Sequence, residues 1–303
     1  MSTTETQAPA AHVLAEIASQ PECWQRAINL LPSVAATLPQ PGQRVAVVGC
    51  GTSWFIAQSY ATAREQAGLG ETDAFAASEY PAGRRYDLVL AITRSGTTTE
   101  VLELLDSLPD DQRTSIIVGD PTSPGATAAD GAVLLDFADE QSVVQTRFAT
   151  TALVLLRASL GEDLSALLDD GLAALDADLP DGWEAKQQFT YLGHGASVGL
   201  AHEAALKMRE AAIAWAESYP AYDYRHGPIA VAEEHTLVWI FGTEPEGLTA
   251  QIEATGASVA HLPAVDPLAE LVRAQRLAVE LALYRGYNPD QPRHLTRSII
   301  LEP

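Results

Sequence analysis

Apolar positions along this chain alternate between two rhythms. From His12 to about Ala36 they recur at helical spacing, in HVLAEIASQP and then CWQRAINLLPSVAATL, with Pro21 marking a break. The next run, in GQRVAVVGCGTS, is β-branched and ends in a glycine-rich turn, which predicts a strand. SWFIAQSYATAREQAG returns to the helical period and stops at Gly68. The strand-like DAFAASEY and YDLVLAITRSG follow, then the helix TTTEVLELLDSL, the strand TSIIVGD, a Pro/Gly loop at 121–125 and the short strand AVLLDF. QSVVQTRFATTALVLLRASL begins as loop and becomes helix. Strands alternating with helices of this length predict a parallel α/β sheet.

The pattern then repeats. A helical LSALLDDGLAALDADL and the turn PDGWEAK span 161–188, after which FTYLGHGAS matches VAVVGCGTS in order and spacing. SVGLAHEAALKMREAAIAWAES reads as one helix, HTLVWIFGT mirrors YDLVLAITRS, and ASVAHLPAV mirrors TSIIVGDPT. The expected fold class is therefore α/β, with two tandem three-layer units of parallel strands, flavodoxin-like or Rossmann-like. The expected division is a tail and leading helices at 1–36, a first unit at 37–160, a crossover and second unit at 161–285, and a closing tail at 286–303. Residues 1–10 lack periodicity and read as a polar, disordered tail.

Composition narrows the function classes. A net charge of −22 opposes binding to nucleic acid and to anionic membranes. No apolar run approaches the roughly 18 residues of a membrane span, and MSTTETQAPA lacks the features of a signal peptide. A cytoplasmic protein is expected. Cys23 and Cys50 lie in unlike contexts and form no metal-ligand spacing. No metal and no cofactor is expected. Only two residues are lysine, Lys186 and Lys207, against sixteen arginines.

Two turns are candidate anion sites. Gly49-Cys50-Gly51-Thr52-Ser53 joins a strand to a helix, where free amides favour an anion, although such a turn is also common for structural reasons. Thr93-Arg94-Ser95-Gly96-Thr97-Thr98-Thr99 places five hydroxyls in seven positions before the next helix. Simple N-capping needs one, and five suit a phosphate held by neutral donors. In the second half, Glu203, Leu206, Lys207 and Glu210 share one helix face. They read either as a surface salt-bridge ladder or as a buried, tuned acid–base pair. His226, in Tyr224-Arg225-His226-Gly227-Pro228, reads by itself as a structural histidine.

Together these segments resemble the isomerase half of glucosamine-6-phosphate synthase and its SIS (sugar isomerase) domain relatives. EIASQPECWQRAI is similar to that family's leading helix, GCGTS and SGTT to its sugar-phosphate loops, and AHEAALKMREAAIAWAESYPAYDYRHGPIA to its catalytic helix and turn. NPDQPRHLTRSIILE resembles its C-terminal tail, and the likeness runs from His12 to Glu302. The resemblance implies that Thr93, Ser95 and Thr98 hold phosphate with help from Ser53, and that Arg94, Gly96 and Thr97 belong to the same loop. Cys50, Gly51, Thr52, Val143 and Gln145 would line the sugar. Glu210 would shuttle a proton between C1 and C2, Lys207 would orient the sugar, and His226, from a partner subunit, would help open the ring. A phosphorylated sugar substrate and a homodimer with shared sites are thereby expected.

The sequence departs from the family in three ways. No glutaminase domain with an N-terminal Cys nucleophile is present, so glutamine-driven amination is not expected. The tail lysine that can form a Schiff base is Arg297, which stays protonated and forms no imine. The family's serine before Thr146 is Gln145, and its phosphate-loop Ser-Gln is Thr93-Arg94. These features point to an amino-sugar phosphate deaminase/isomerase, with a fructosamine-phosphate deglycase or a catalytically silent sugar-phosphate sensor as alternatives.

Overall fold

The computed structural model describes residues 8–301. Most of the polar start expected at 1–10, and Glu302 and Pro303, lie outside the described residues. Helices α1 (Ala11–Ala18) and α2 (Gln20–Val34) lead the chain. The break between them falls at Ser19, and Pro21 sits in the first turn of α2, where its missing amide has no intrahelical partner to lose.

The first α/β layer runs β1 (Val45–Gly49), α3 (Thr52–Gln66), β2 (Thr72–Ala76), β3 (Leu88–Thr93), α4 (Thr99–Ser107), β4 (Thr114–Val118), β5 (Gly131–Leu134) and α5 (Arg147–Ser159). Its five strands are all parallel, in the order β2-β1-β3-β4-β5. Strands β1 and β3 are buried at every position, which explains their continuous apolar runs: a parallel sheet covered on both faces has no polar side.

Helix α6 (Ser165–Asp176) leads to the second sheet. Strand β6 (Gln188–Gly193) is followed by α7 (Ser197–Ala212), β7 (Trp215–Pro220), β8 (Thr236–Phe241), α8 (Leu248–Glu253), β9 (Ser258–His261) and α9 (Pro267–Tyr284). These strands are also parallel, ordered β7-β6-β8-β9. Each sheet thus places the strand that enters its glycine turn beside the next strand on one side and the one after it on the other.

One expected element is corrected. The helix read from Ser197 through Ser218 stops at Ala212, because Ile213 adopts a left-handed conformation at φ 52° and caps it. The residues beyond become the edge strand β7, paired with β6 from Gln188↔Trp215 onward.

The two sheets are held together through their helices. Helices α3 and α7 cross at backbone distance: a Cβ on Gly199 would lie 2.3 Å from the carbonyl oxygen of Phe55. Helix α9 buries most of its length, from Leu268 to Ala282, in the core shared by both halves.

Candidate active site

The turn after β1 must pass very close to the first turn of α3. A Cβ on Gly49 would meet the Ser53 side chain at 2.7 Å, so only glycine lets this strand feed straight into its helix. That turn, the turn after β3, the end of α7 and the C-terminal tail enclose a cavity of about 170 Å³. Cys50, Gly51, Thr52 and Ser53 line one side; Thr93, Arg94, Ser95 and Thr98 line another. Val143, Gln145, Glu210 and Arg297 complete it, with Leu295, Thr296, Ser298 and Ile299 from the tail.

The five hydroxyls of the second turn divide into two sets. Thr97 Oγ1 lies 2.8 Å from Ser298 Oγ, and Thr99 Oγ1 accepts the Leu301 amide at 2.9 Å, so these two hold the tail. Thr93, Ser95 and Thr98 face the cavity. Thr98 is the N-cap residue of α4, yet its hydroxyl makes no capping bond. The capping explanation for this cluster therefore fails at the residue where it would apply. Gly96 turns the loop, its amide donating to Thr93 Oγ1 at 3.3 Å, and lies outside the cavity lining.

Arg94 is fully buried, and its guanidinium is committed to other partners. It donates to the Ser142 carbonyl at 2.6 Å and to the Arg297 carbonyl. The residue lines the cavity, but its hydrogen bonds join the phosphate-type loop, the 139–147 loop and the tail. Arg297 behaves similarly: its side chain grips both Asp139 oxygens at 2.6 Å, while its backbone lies over the cavity. Both arginines add positive charge near the loop while acting mainly as ties.

Beneath the cavity lies a buried ionic group on α7. Lys207 Nζ sits 2.5 Å from Glu210 Oε2, 3.0 Å from Thr52 Oγ1 and 3.4 Å from Glu203 Oε1. Lys207 and Glu203 are sealed from solvent, while Glu210 keeps about a fifth of its side chain accessible, at the cavity wall. Burial pushes Glu203 up to about 8, with Lys207 opposing the shift and Glu210 adding to it. Neither Glu203 oxygen makes a hydrogen bond among the described residues. Burial alone would lower the Lys207 pKa, but Glu203 and Glu210 outweigh it and the net shift is upward. The ladder reading of this helix face is thus set aside: the charges are buried, and one carboxylate is presented to the cavity by a lysine behind it.

His226 does not reach this cavity within the chain. It lies on the 3-10 turn Asp223–His226 beyond β7 and is exposed. Several supporting residues gave no sequence signal. Glu16 of α1, buried, accepts the Gln141 amide at 2.6 Å and also the Ser142 hydroxyl. Glu140, also buried, accepts the Thr146 and Arg147 amides at 2.6 and 2.7 Å. These carboxylates fix the loop that carries Val143 and Gln145 to the cavity. Gln145 brings a buried amide oxygen with no hydrogen-bond partner among the described residues. No group of three or more His, Cys, Asp or Glu among the described residues is arranged to hold a metal, and no described helix is long and apolar enough to cross a membrane.

Solved structures share this architecture over nearly the whole chain. A glucosamine-6-phosphate deaminase from Thermotoga maritima superposes with a TM-score of 0.78 at 24% identity, covering 95% of this chain and 99% of the other. The C-terminal domain of glucosamine-fructose-6-phosphate aminotransferase from Francisella tularensis gives 0.77 at 22% identity, covering 96% and 100%. The chain has the SIS-type phosphosugar isomerase fold. Its sequence homologues are glutamine–fructose-6-phosphate aminotransferases, related through their isomerase domain. The one from Pyrobaculum aerophilum is 27% identical over 96% of this chain and 57% of its own length. The chain spans about half the length of the curated relatives it matches. No family model matches it.

Proposed function

We propose that this SIS-fold chain is an enzyme that binds an amino-sugar phosphate and converts it to the ketose phosphate with release of ammonia. The supporting observation is the relation between Glu210 and the hydroxyl loop. A carboxylate with about a fifth of its side chain accessible, held by a buried lysine, borders the cavity that Thr93, Ser95 and Thr98 also line. The loop hydroxyls and the amides at the start of α4 bind the phosphate, which leaves the sugar's C1–C2 end toward Glu210.

In the open chain, Glu210 removes the C2 proton, and the electron pair forms an enol-amine with C1. Return of the proton to C1 leaves an imine at C2. Water adds there and ammonia departs, so no oxidant or reductant is needed. Lys207 balances the carboxylate and Thr52 fixes Lys207 in turn. The substrate brings its own nitrogen, so no protein lysine imine is required, and Arg297 enters only through its charge and its hold on the tail. His226 assists ring opening from a partner subunit of a homodimer, with residues 37–160 and 161–285 as the two units of each cytoplasmic chain.

Ammonia release from glucosamine 6-phosphate by the purified protein, followed with a coupled ammonia assay, tests the reading. Production of fructose 6-phosphate and ammonia in equal amounts supports it. Binding of the phosphosugar without turnover assigns the chain to a sensor, and ammonia-free release of an amine from a fructosamine phosphate assigns it to a deglycase.

A further inference from the structure

The repeat places a second cavity at the counterpart of the first. Both glycine turns have the same spacing, with Gly49-Cys50-Gly51-Thr52-Ser53 after β1 and Gly193-His194-Gly195-Ala196-Ser197 after β6. Carried along the following helices, this register matches Glu203, Lys207 and Glu210 of α7 with Ser59, Ala63 and Gln66 of α3. The first cavity lies between the turn after β1 and the end of α7. A cavity of about 480 Å³ lies between the turn after β6, at Ala196 and Ser197, and the end of α3, at Ala63, Gln66 and Ala67. It is larger than the first, and its acid–base residues are replaced by a serine, an alanine and an amide.

The phosphate loop is also missing from this side. Strand pairing aligns β1 Val48 with Ala91 of β3 and β6 Gly193 with Phe241 of β8, which sets Thr93 opposite Gly242 and Ser95 opposite Glu244 in the repeat. Two hydroxyls thus become a glycine and a carboxylate. Pro267, at the start of α9, stands against the glycine: a Cβ on Gly242 would lie 3.3 Å from its Cγ. Among the described residues, the one cationic side chain lining the cavity is Arg157, and it is already answered. Its guanidinium donates to Glu162 at 2.9 Å through Nε and to Asp266 at 3.0 and 2.7 Å. One guanidinium against two carboxylates leaves the wall negative, so a phosphate dianion is repelled. The remainder of the wall is apolar, with Leu153, Leu160 and Leu200, apart from the Gln66 amide and serine hydroxyls. A concave, mainly apolar site with a few polar groups is the usual form of a small-molecule pocket.

We propose that this cavity is a second, non-catalytic binding site for an unphosphorylated sugar, with preference for a cationic amino sugar. The volume suits a sugar ring, and the net negative charge of the wall suits an ammonium group. The choice of sugars rests on the proposed function of the first cavity, whereas the exclusion of phosphate rests on this wall alone.

Calorimetry of the full chain with free glucosamine tests the site, using glucose and inorganic phosphate as further probes. Wild-type protein should bind glucosamine more tightly than glucose, and phosphate should not compete. Ala63→Trp, which fills the cavity, should weaken glucosamine binding at least about tenfold. Gln66→Ala, at an exposed residue, should weaken it about threefold and serves if the tryptophan variant does not fold. Ser95→Ala, in the first cavity, should leave free-glucosamine binding unchanged. No glucosamine binding in the millimolar range, unchanged binding in both α3 variants, loss on Ser95→Ala, or competition by phosphate would each overturn the proposal. If glucosamine binds here as described but glucosamine 6-phosphate releases no ammonia, the reaction falls and this site stands.

Discussion

Glu203 provides a test of the buried ionic group that does not depend on the substrate. Its carboxyl is raised from 4.5 to about 8, chiefly by burial. The folded chain therefore holds a proton that the unfolded chain releases above about pH 4.5. The associated stability is fully present below that pH and is lost as pH rises toward 8. The gap between 4.5 and about 8, at about 1.4 kcal/mol per unit, is on the order of 5 kcal/mol. Lys207, 3.4 Å away, already opposes the shift, so this figure is the net of burial against the ion pair. Glu203→Gln keeps the shape and cannot ionise, so it removes this dependence. Urea unfolding of both proteins at intervals between pH 5 and 8 measures it as a difference, in which other titrating groups such as the buried Glu140 cancel. The stability of wild type relative to Glu203→Gln should fall steadily across this range. A difference that stays flat, or rises with pH, would refute the assignment of Glu203 as a buried acid neutral at pH 7.

The other predictions concern the first cavity. Ser95→Ala should weaken glucosamine 6-phosphate binding by roughly 1.5–3 kcal/mol, the scale of a hydrogen bond to a charged group; equal affinity in calorimetry would remove Ser95 from the phosphate site. Arg94→Met, which frees the Ser142 and Arg297 carbonyls, should loosen the tail, seen as faster amide exchange at residues 297–301 with the sheet amides unchanged. Mixing Glu210→Gln chains with His226→Ala chains should restore activity in about a quarter of the sites, because half of the mixed dimer's sites would be intact in a twofold assembly. No recovery on mixing would mean that His226 does not act across subunits.

Much of this architecture is visible in the amino-acid pattern because parallel strands buried on both faces leave continuous apolar runs, as in β1, β3 and β8. The glycine turns are equally legible, since close passage at Gly49 admits no side chain. Strand β7 was hidden for the opposite reason. AAIAWAES has good helical propensity, and its helix ends at Ile213, a non-glycine residue in a left-handed conformation, which gives no local signal. Within the site, the hydroxyl cluster and the Glu203–Lys207–Glu210 face stand out by local spacing. The destinations of Arg94 and Arg297 do not, because both meet partners from the distant 139–147 loop. Glu16 is more than a hundred residues from the loop it holds, and no local pattern marks such a contact. The second cavity is partly legible: the repeat can be read from the sequence, but the space between α3 and the β6 turn cannot.

The central claim is that Glu210 moves a proton between C1 and C2 of a bound phosphosugar. Incubation of the protein with glucosamine 6-phosphate in deuterated water, with NMR of the recovered sugars, reads that step directly. Wild-type protein should introduce solvent deuterium at C1 of the ketose product and at C2 of recovered substrate. Glu210→Gln should abolish both while leaving phosphosugar affinity nearly unchanged, and borohydride should trap no sugar on the chain. Exchange by Glu210→Gln at the wild-type rate, or a trapped adduct on Lys207, would contradict the account.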